Sequence, residues 1–163
     1  TCFGDVLAHP KTIKQMARAG CIGMAFGVET ITPEALKLVN KAWITPERLR
    51  EFTKLLRSEG IHSHASYAIG LPGETRGSIL DMIKFALELE TDSLQFSIAT
   101  PFPGTPFFEL CRKEGWLLNS PWDHYDGSRY CVVDYPNLNH AEIEELFRYA
   151  MKRREELNLG FRK

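Results

Sequence analysis

The chain has 163 residues, with 20 Lys and Arg against 21 Asp and Glu, for a formal net charge of −1. That length suits one domain burying roughly two-thirds of its unfolded surface, and 44% apolar with 25% charged residues excludes a disordered chain. Balanced charge argues against nucleic acid or an anionic membrane as an obligate partner. No apolar stretch approaches the ~20 residues of a bilayer span, and the first residues do not form a signal peptide.

Cys2, Cys21, Cys111 and Cys131 are separated by 19, 90 and 20 residues, without the close pairs that zinc and iron–sulfur motifs use. The expectation is free thiols in a reducing cytoplasm and no metal ligands within these residues.

In chain order, Thr1 to Val6 fits the end of a strand. His9 to Ala19 reads as a helix, with Pro10 in its first turn and Gly20 past its end. Cys21 to Val28 is a nearly continuous apolar run, the mark of a buried parallel strand. Thr32-Pro33-Glu34 and Thr45-Pro46-Glu47 each give a Thr cap, a proline at the first helical position and an acid facing the helix dipole. They open helices to about Asn40 and Glu59. His62 to Ile69 is the next strand, followed by Gly70-Leu71-Pro72-Gly73. A helix from Thr75 or Ser78 to about Glu90 places Ile79, Met82, Ile83 and Ala86 inward. Ser93 to Ala99 is another strand, then Pro101-Phe102-Pro103-Gly104 and a helix from Thr105-Pro106 to Gly115. Trp116 to Leu138 is aromatic and aperiodic. Asn139 and Glu142 form a capping box for a last helix reaching Leu157.

Strand and helix alternating at intervals of 30 to 40 residues is the pattern of βα units with right-handed crossovers. Three or four parallel strands are present, against eight in a closed barrel. The rhythm opens mid-pattern, which reads as the back half of something longer.

In such folds function gathers at the carboxyl ends of strands, where three loops stand. Phe26-Gly27-Val28-Glu29-Thr30 offers a carboxylate for ribose hydroxyls or an ammonium group, or else a solvated acid. Gly70-Leu71-Pro72-Gly73-Glu74-Thr75 lets backbone approach a planar ligand, or is a tight turn with a dipole-compensating acid. Pro101 to Thr105 approaches an adenine or substrate edge, or is a rigid turn with a helix cap. His62 and His64 share a strand face with Ser66 and Ala68; no third metal ligand is indicated, and a polar barrel interior explains them. Trp116, Trp122, Tyr125, Tyr130 and Tyr135 line a pocket for a large apolar substrate or form a packing lid. The charges of 142–156 form a solvated helix face.

The order Gly20-Cys21, Phe26-Gly27-Val28-Glu29-Thr30, Lys41, Gly70 to Thr75 and Pro101 to Thr105 resembles the C-terminal half of the radical S-adenosylmethionine (radical SAM) core. It is nearest the branch with an upstream cobalamin domain, which includes methyltransferases and anaerobic magnesium-protoporphyrin ester cyclases. The resemblance covers about residues 5–150 and includes Trp116 and the Trp122-Asp123-His124-Tyr125 stretch. It implies an α/β fold of parallel βα repeats forming roughly half of a partial TIM-type (βα)6 barrel, plus a C-terminal helix. Residues 1–115 would be the half-barrel and 116–163 an aromatic-rich loop and helix packed on the same domain. The implied cofactors are S-adenosylmethionine and a 4Fe-4S cluster whose CxxxCxxC ligands lie outside this chain, with cobalamin in some full-length relatives. Reductive cleavage there yields a 5′-deoxyadenosyl radical that abstracts a substrate hydrogen.

By position, the resemblance implies Glu29 at the ribose or methionine portion and Lys41, twelve residues on, near the methionine carboxylate. Ser66 stands where relatives carry a ribose-binding acid. Gly70, Leu71, Pro72 and Gly73 would pass the adenine, with Glu74 orienting their loop, and Pro103 and Gly104 would close the adenine side. A half-barrel would be inactive alone, needing the upstream half of the barrel and acting in the whole enzyme on a small-molecule substrate. Its open strand edges suit dimerisation. Two other readings are an ordinary βα-barrel lyase or hydrolase using Glu29 and Glu74 as acid and base, and a non-catalytic interaction module.

Overall fold

The structure, a computed structural model, describes residues 9–157; the proposed strand end at Thr1–Val6 and Cys2 lie outside them. Three parallel strands, β1 (Gly23–Glu29), β2 (His62–Ile69) and β3 (Ser93–Ile98), pair in the order β1-β2-β3. The helices are α1 (Pro10–Arg18), α2 (Pro33–Leu38), α3 (Pro46–Ser58), α4 (Arg76–Glu88), α5 (Pro106–Lys113) and α6 (His140–Glu156). A single 3-10 turn, Trp122–His124, breaks the aromatic segment. No helix among the described residues is long and apolar enough to cross a membrane.

The two sheet faces differ. Phe26, Val28, Ala65, Tyr67, Ile69, Leu94, Phe96 and Ile98 alternate onto one face and are all buried, where helices cover them. Phe26 meets Phe52 of α3 edge to face, with centroids 5.1 Å apart. On the opposite face the register aligns Gly27, Ser66 and Gln95, with Ala25, His64 and Ser93 one step down; these residues are half-buried or exposed. β1 is therefore not the doubly buried strand its apolar run predicts. Gly23, Ala25 and Gly27 read as apolar, yet they form its open face. His64 Nδ1 lies 2.8 Å from Ser93 Oγ, so His62 and His64 line a polar face, as their alternation implies. Burial, then the nearby Arg154, holds the His64 pKa below the ordinary imidazole value.

Thr45, Thr75 and Thr105 accept from the backbone N–H groups of Arg48, Ser78 and Phe108, and Asn139 with Glu142 closes a reciprocal capping box. Thr32 does not cap α2; its buried hydroxyl has no hydrogen-bond partner. Its own N–H donates instead to Thr30 Oγ1 at 3.1 Å.

The segment after α5 returns to the sheet. Ile98 N–H donates to Gly127 C=O at 2.7 Å, fastening residues 126–128 to the outer edge of β3. The helix α6 then packs against α4, β3 and β2. The aromatic residues divide rather than forming one wall. Trp116 packs edge to face on buried Tyr135, at 5.1 Å, whereas Trp122 is 69% exposed, beside Tyr125.

Gly70 sits where α6 meets the sheet. Its φ is +88°, and a Cβ there would lie 2.9 Å from Ile143 Cγ2. A Gly70→Ala variant combines left-handed strain with overpacking, and its stability should fall by about 2–4 kcal/mol. Urea unfolding should show a lower midpoint at unchanged slope, and the loss should be smaller in an Ile143→Ala background, which removes all three crowded atoms.

Candidate functional site

At the carboxyl end of β1 the ladder slips by one residue between Gly27 and Glu29. Thr30 N–H closes a tight turn onto Val28 C=O at 3.0 Å, with Glu29 at its centre at φ 67°. For a residue with a Cβ this left-handed conformation is strained. Its consequence is positional. The Glu29 side chain doubles back over Gly27, against the place a Cβ would occupy.

Lys41 arrives from the end of α2. The helix closes with Asn40 at φ 54°, Lys41 N–H donating to Leu36 C=O at 2.8 Å and Asn40 N–H to Lys37 C=O at 3.3 Å. This is a Schellman ending, with asparagine taking the left-handed position. It turns the chain back so that Lys41 Nζ donates to Glu29 Oε1 and to Gly27 C=O, each at 2.7 Å. Both side chains are partly exposed, 24% for Lys41 and 32% for Glu29. An ammonium has three N–H donors; these two bonds leave one for an anionic group.

Glu74 has a different office. Its side chain is buried, at 1% exposure. Oε1 accepts from the Thr30 hydroxyl at 2.6 Å, and Oε2 accepts from Gly70 N–H at 3.0 Å and Leu71 N–H at 2.9 Å. Glu74 thus ties the loop after β2 to the residue following Glu29, which is the loop-orienting role its position implies. Burial, outweighing those three bonds, raises its pKa above the usual carboxylate value. Two later residues hold the same loop: Tyr135 O–H donates to Gly70 C=O at 3.0 Å and Asn137 Nδ2 to Glu74 C=O at 2.9 Å. Sequence reasoning missed both, along with Thr30 as their partner across the site, because no local pattern marks a contact 63 or 65 residues away.

An open cavity of ≈ 310 Å³ lies at the carboxyl ends of β2 and β3, with Ala68, Leu71, Ser97, Ala99, Phe102 and Asp126 in its lining. Of the residues singled out from sequence, Glu29 and Lys41 meet, Ser66 lies level with Gly27 on the open face, and Leu71 lines the cavity. Gly70 and Pro72 are buried. The N–H and C=O of Gly70 are taken by Glu74 and Tyr135, so it shapes the loop rather than offering polar groups to a ligand. Gly73 is exposed, with φ +88°. Pro103 and Gly104 form an exposed tip outside the cavity lining.

The family model for the Radical SAM superfamily matches residues 1–86. The chain belongs to the radical SAM superfamily. Within that superfamily it is 38% identical, over 88% of its length, to an uncharacterized methyltransferase of Pyrococcus horikoshii, of which it spans 30%. It is 28% identical over 68% of its length to the anaerobic magnesium-protoporphyrin IX monomethyl ester cyclase of Cereibacter sphaeroides, spanning 18% of that enzyme. Among solved structures it resembles the radical S-adenosylmethionine methyltransferase TsrM from Kitasatospora setae, which holds cobalamin and a [4Fe-4S] cluster. That match has a TM-score of 0.58 at 25% identity, over 85% of this chain and 28% of TsrM. The chain thus spans less than a third of each of these relatives. The parallel sheet with its helices is part of a radical SAM TIM-type barrel.

Radical SAM chemistry rests on S-adenosylmethionine and a 4Fe-4S cluster. A paired cation and carboxylate at the same end of the sheet as an apolar cavity fits a ligand that joins an aromatic base to a zwitterionic amino acid. The cluster does not fit here. Among the described residues no three His, Cys, Asp or Glu are grouped to hold a metal ion. Burial pushes the Cys111 thiol up to about 11 and the Cys131 thiol to about 12, so both rest as protonated, poorly nucleophilic thiols.

Alkylation at pH 8, mapped by mass spectrometry, should modify half-buried Cys21 but leave Cys111 and Cys131 unreacted until the protein is unfolded. Because the Glu74 pKa is raised on folding, the folded state holds its proton longer than the unfolded chain. Stability from this group is full below the unfolded value of 4.5 and is lost as pH rises through the folded value. Glu74→Gln should flatten that slope in urea titrations between pH 4 and 8. Glu74→Ala, which strands three donors, should cost at least about 2 kcal/mol at every pH.

Proposed function

We propose that this chain is the half of a radical SAM barrel that receives S-adenosylmethionine on its strand ends. In the whole enzyme it would serve C–H functionalisation, by methylation or oxidative cyclisation, of a large organic substrate. The observation that carries the reading is the Glu29–Lys41 pair seated on bare strand backbone at the carboxyl end of β1. Residues 1–115 form the C-terminal half of the barrel on this reading, and 116–163 a loop and helix packed on the same domain.

The roles of the residues follow from their donors and acceptors. Lys41 presents its remaining N–H to the methionine carboxylate, held in place by Glu29 and Gly27 C=O. Glu29 Oε2 is left to accept from ribose hydroxyls or the methionine ammonium, and Ser66 adds a hydroxyl on the same face. Leu71, with Ala68 and Ala99, gives the base an apolar wall, while Gly70, Pro72 and Gly73 shape the loop that carries it. Pro103 and Gly104 stiffen the third loop from its exposed tip. The sulfonium cofactor, with a cluster held elsewhere in the enzyme, supplies one-electron chemistry able to open unreactive C–H bonds. Cobalamin belongs to the proposal through the TsrM likeness, and a reducing cytoplasm suits the free thiols.

The free edge of β1, hydrogen-bonded on one side only among the described residues, is where an upstream strand of the barrel would pair. Cut off from that partner, two copies of this chain should join edge to edge; a monodisperse monomer in light scattering overturns that pairing.

The principal test uses the full-length enzyme purified without oxygen, its cluster reconstituted, incubated with S-adenosylmethionine and dithionite. Wild type should release 5′-deoxyadenosine, and Glu29→Ala and Lys41→Ala should each lower its yield by about tenfold or more. The isolated chain should release none. A full-length protein that assembles no cluster and makes no deoxyadenosine overturns the reading, leaving a parallel βα domain.

A further inference from the structure

We propose that Gly27 is a positioning residue: the space left by its missing side chain is the seat of the Glu29 carboxylate and the Lys41 ammonium, and through that pair it sets where the polar end of S-adenosylmethionine is held. The inference rests on the functional reading above and goes beyond it, because Gly27 itself has no side chain to offer a ligand.

Three observations carry it. First, the backbone does not require glycine at position 27. Its φ is not in the left-handed region, unlike that of Gly70 or Gly73, and glycine inside a strand is less favourable than alanine. Second, an added Cβ would overlap Glu29 Oε1 and lie 2.9 Å from Lys41 Nζ and 3.2 Å from Glu29 Cδ. Every one of those atoms belongs to the outer part of a flexible side chain. A methyl group would therefore displace the ion pair and leave the sheet as it is. The other glycine of β1, Gly23, shows the contrast, since a Cβ there would meet only ordinary contacts, the nearest at 3.7 Å. Third, Lys41 also bonds the Gly27 carbonyl, so the pair lies down on the strand at this one residue instead of reaching out from it. The strained turn at Glu29 delivers the carboxylate to the same spot.

The test is a double-variant cycle in the full-length holoenzyme, read as the Kd for S-adenosylmethionine by anaerobic calorimetric titration. Gly27→Ala should weaken binding about tenfold or more, while its Tm stays at or above that of wild type. Added to Glu29→Ala, which empties the seat of the carboxylate and breaks the pair, it should weaken binding by much less than in wild type. Binding by Gly27→Ala equal to wild type overturns the inference, and so does an equal further loss in the Glu29→Ala background. A Gly27→Ala protein melting well below wild type overturns it too, since the argument requires the strand to accept the methyl group. A wild type that does not bind S-adenosylmethionine, or a Glu29→Ala that binds unchanged, overturns the functional reading and this inference with it. Sensitivity to Glu29 without sensitivity to Gly27 overturns this inference alone.

Discussion

Two strand ends are held together by one buried carboxylate. Glu74 takes a hydroxyl from the turn that ends β1 and two backbone N–H groups from the loop that ends β2. Burying a carboxylate is unfavourable unless its oxygens are satisfied, and here three donors share the work, two of them backbone groups that would otherwise need partners of their own. Thr30, which supplies the hydroxyl, is the next residue after Glu29. The strained turn at Glu29 is thus flanked by a fixed point, and strain of that kind persists only where the surroundings over-determine it. Tyr135 and Asn137 fasten the same loop from the segment that leads into α6. The C-terminal helix therefore belongs mechanically to the site, although none of its residues lines the cavity.

The sheet has two unlike faces. Bulky apolar side chains fill the helix-covered face, whereas glycine, alanine, serine and histidine populate the other. Small residues there leave strand carbonyls reachable, as Lys41 shows by bonding to that of Gly27. A fully apolar inner face would pack well but would offer no such purchase to a charged cofactor.

Much of this was legible in the sequence, and the gaps have physical causes. Strand β2 was readable to the residue, because apolar and small positions alternate cleanly from His62 to Ile69. The caps at Thr45, Thr75, Thr105 and Asn139 were readable because capping is local chemistry. Thr32 carries the same local signal and fails, since its N–H is drawn to Thr30 and its hydroxyl is buried. Strand β1 misled for another reason: glycine and alanine count as apolar in a pattern but say nothing about burial. The family resemblance gave Glu29 and Lys41 separate roles toward a cofactor, and their bond to each other was not read from the sequence. Spacing alone does not specify a strained turn at one end and a Schellman ending at the other. The bonds from Tyr135 and Asn137 had no sequence signature, and Tyr135 read only as one more aromatic residue.

Local rules are broken most densely around the ion pair. Within fifteen residues the chain contains a ladder slip, a glutamate and an asparagine in left-handed conformation, and an interior-strand glycine. Sequences that fold well keep such conflicts few and concentrate them where function demands them. Elsewhere in the described chain such exceptions are scattered: Glu90 stands alone in left-handed conformation at φ 58°, while β2 and β3 keep a regular register and the core is largely apolar. A partly exposed ion pair alone would be weak justification for so many exceptions, because pairs near the surface contribute little to stability. The exceptions make sense if what they secure is the placement of two charged groups against a ligand. Stability then comes from the covered face and from the bonds Glu74 makes, and on the proposed function the open face is left to recognition.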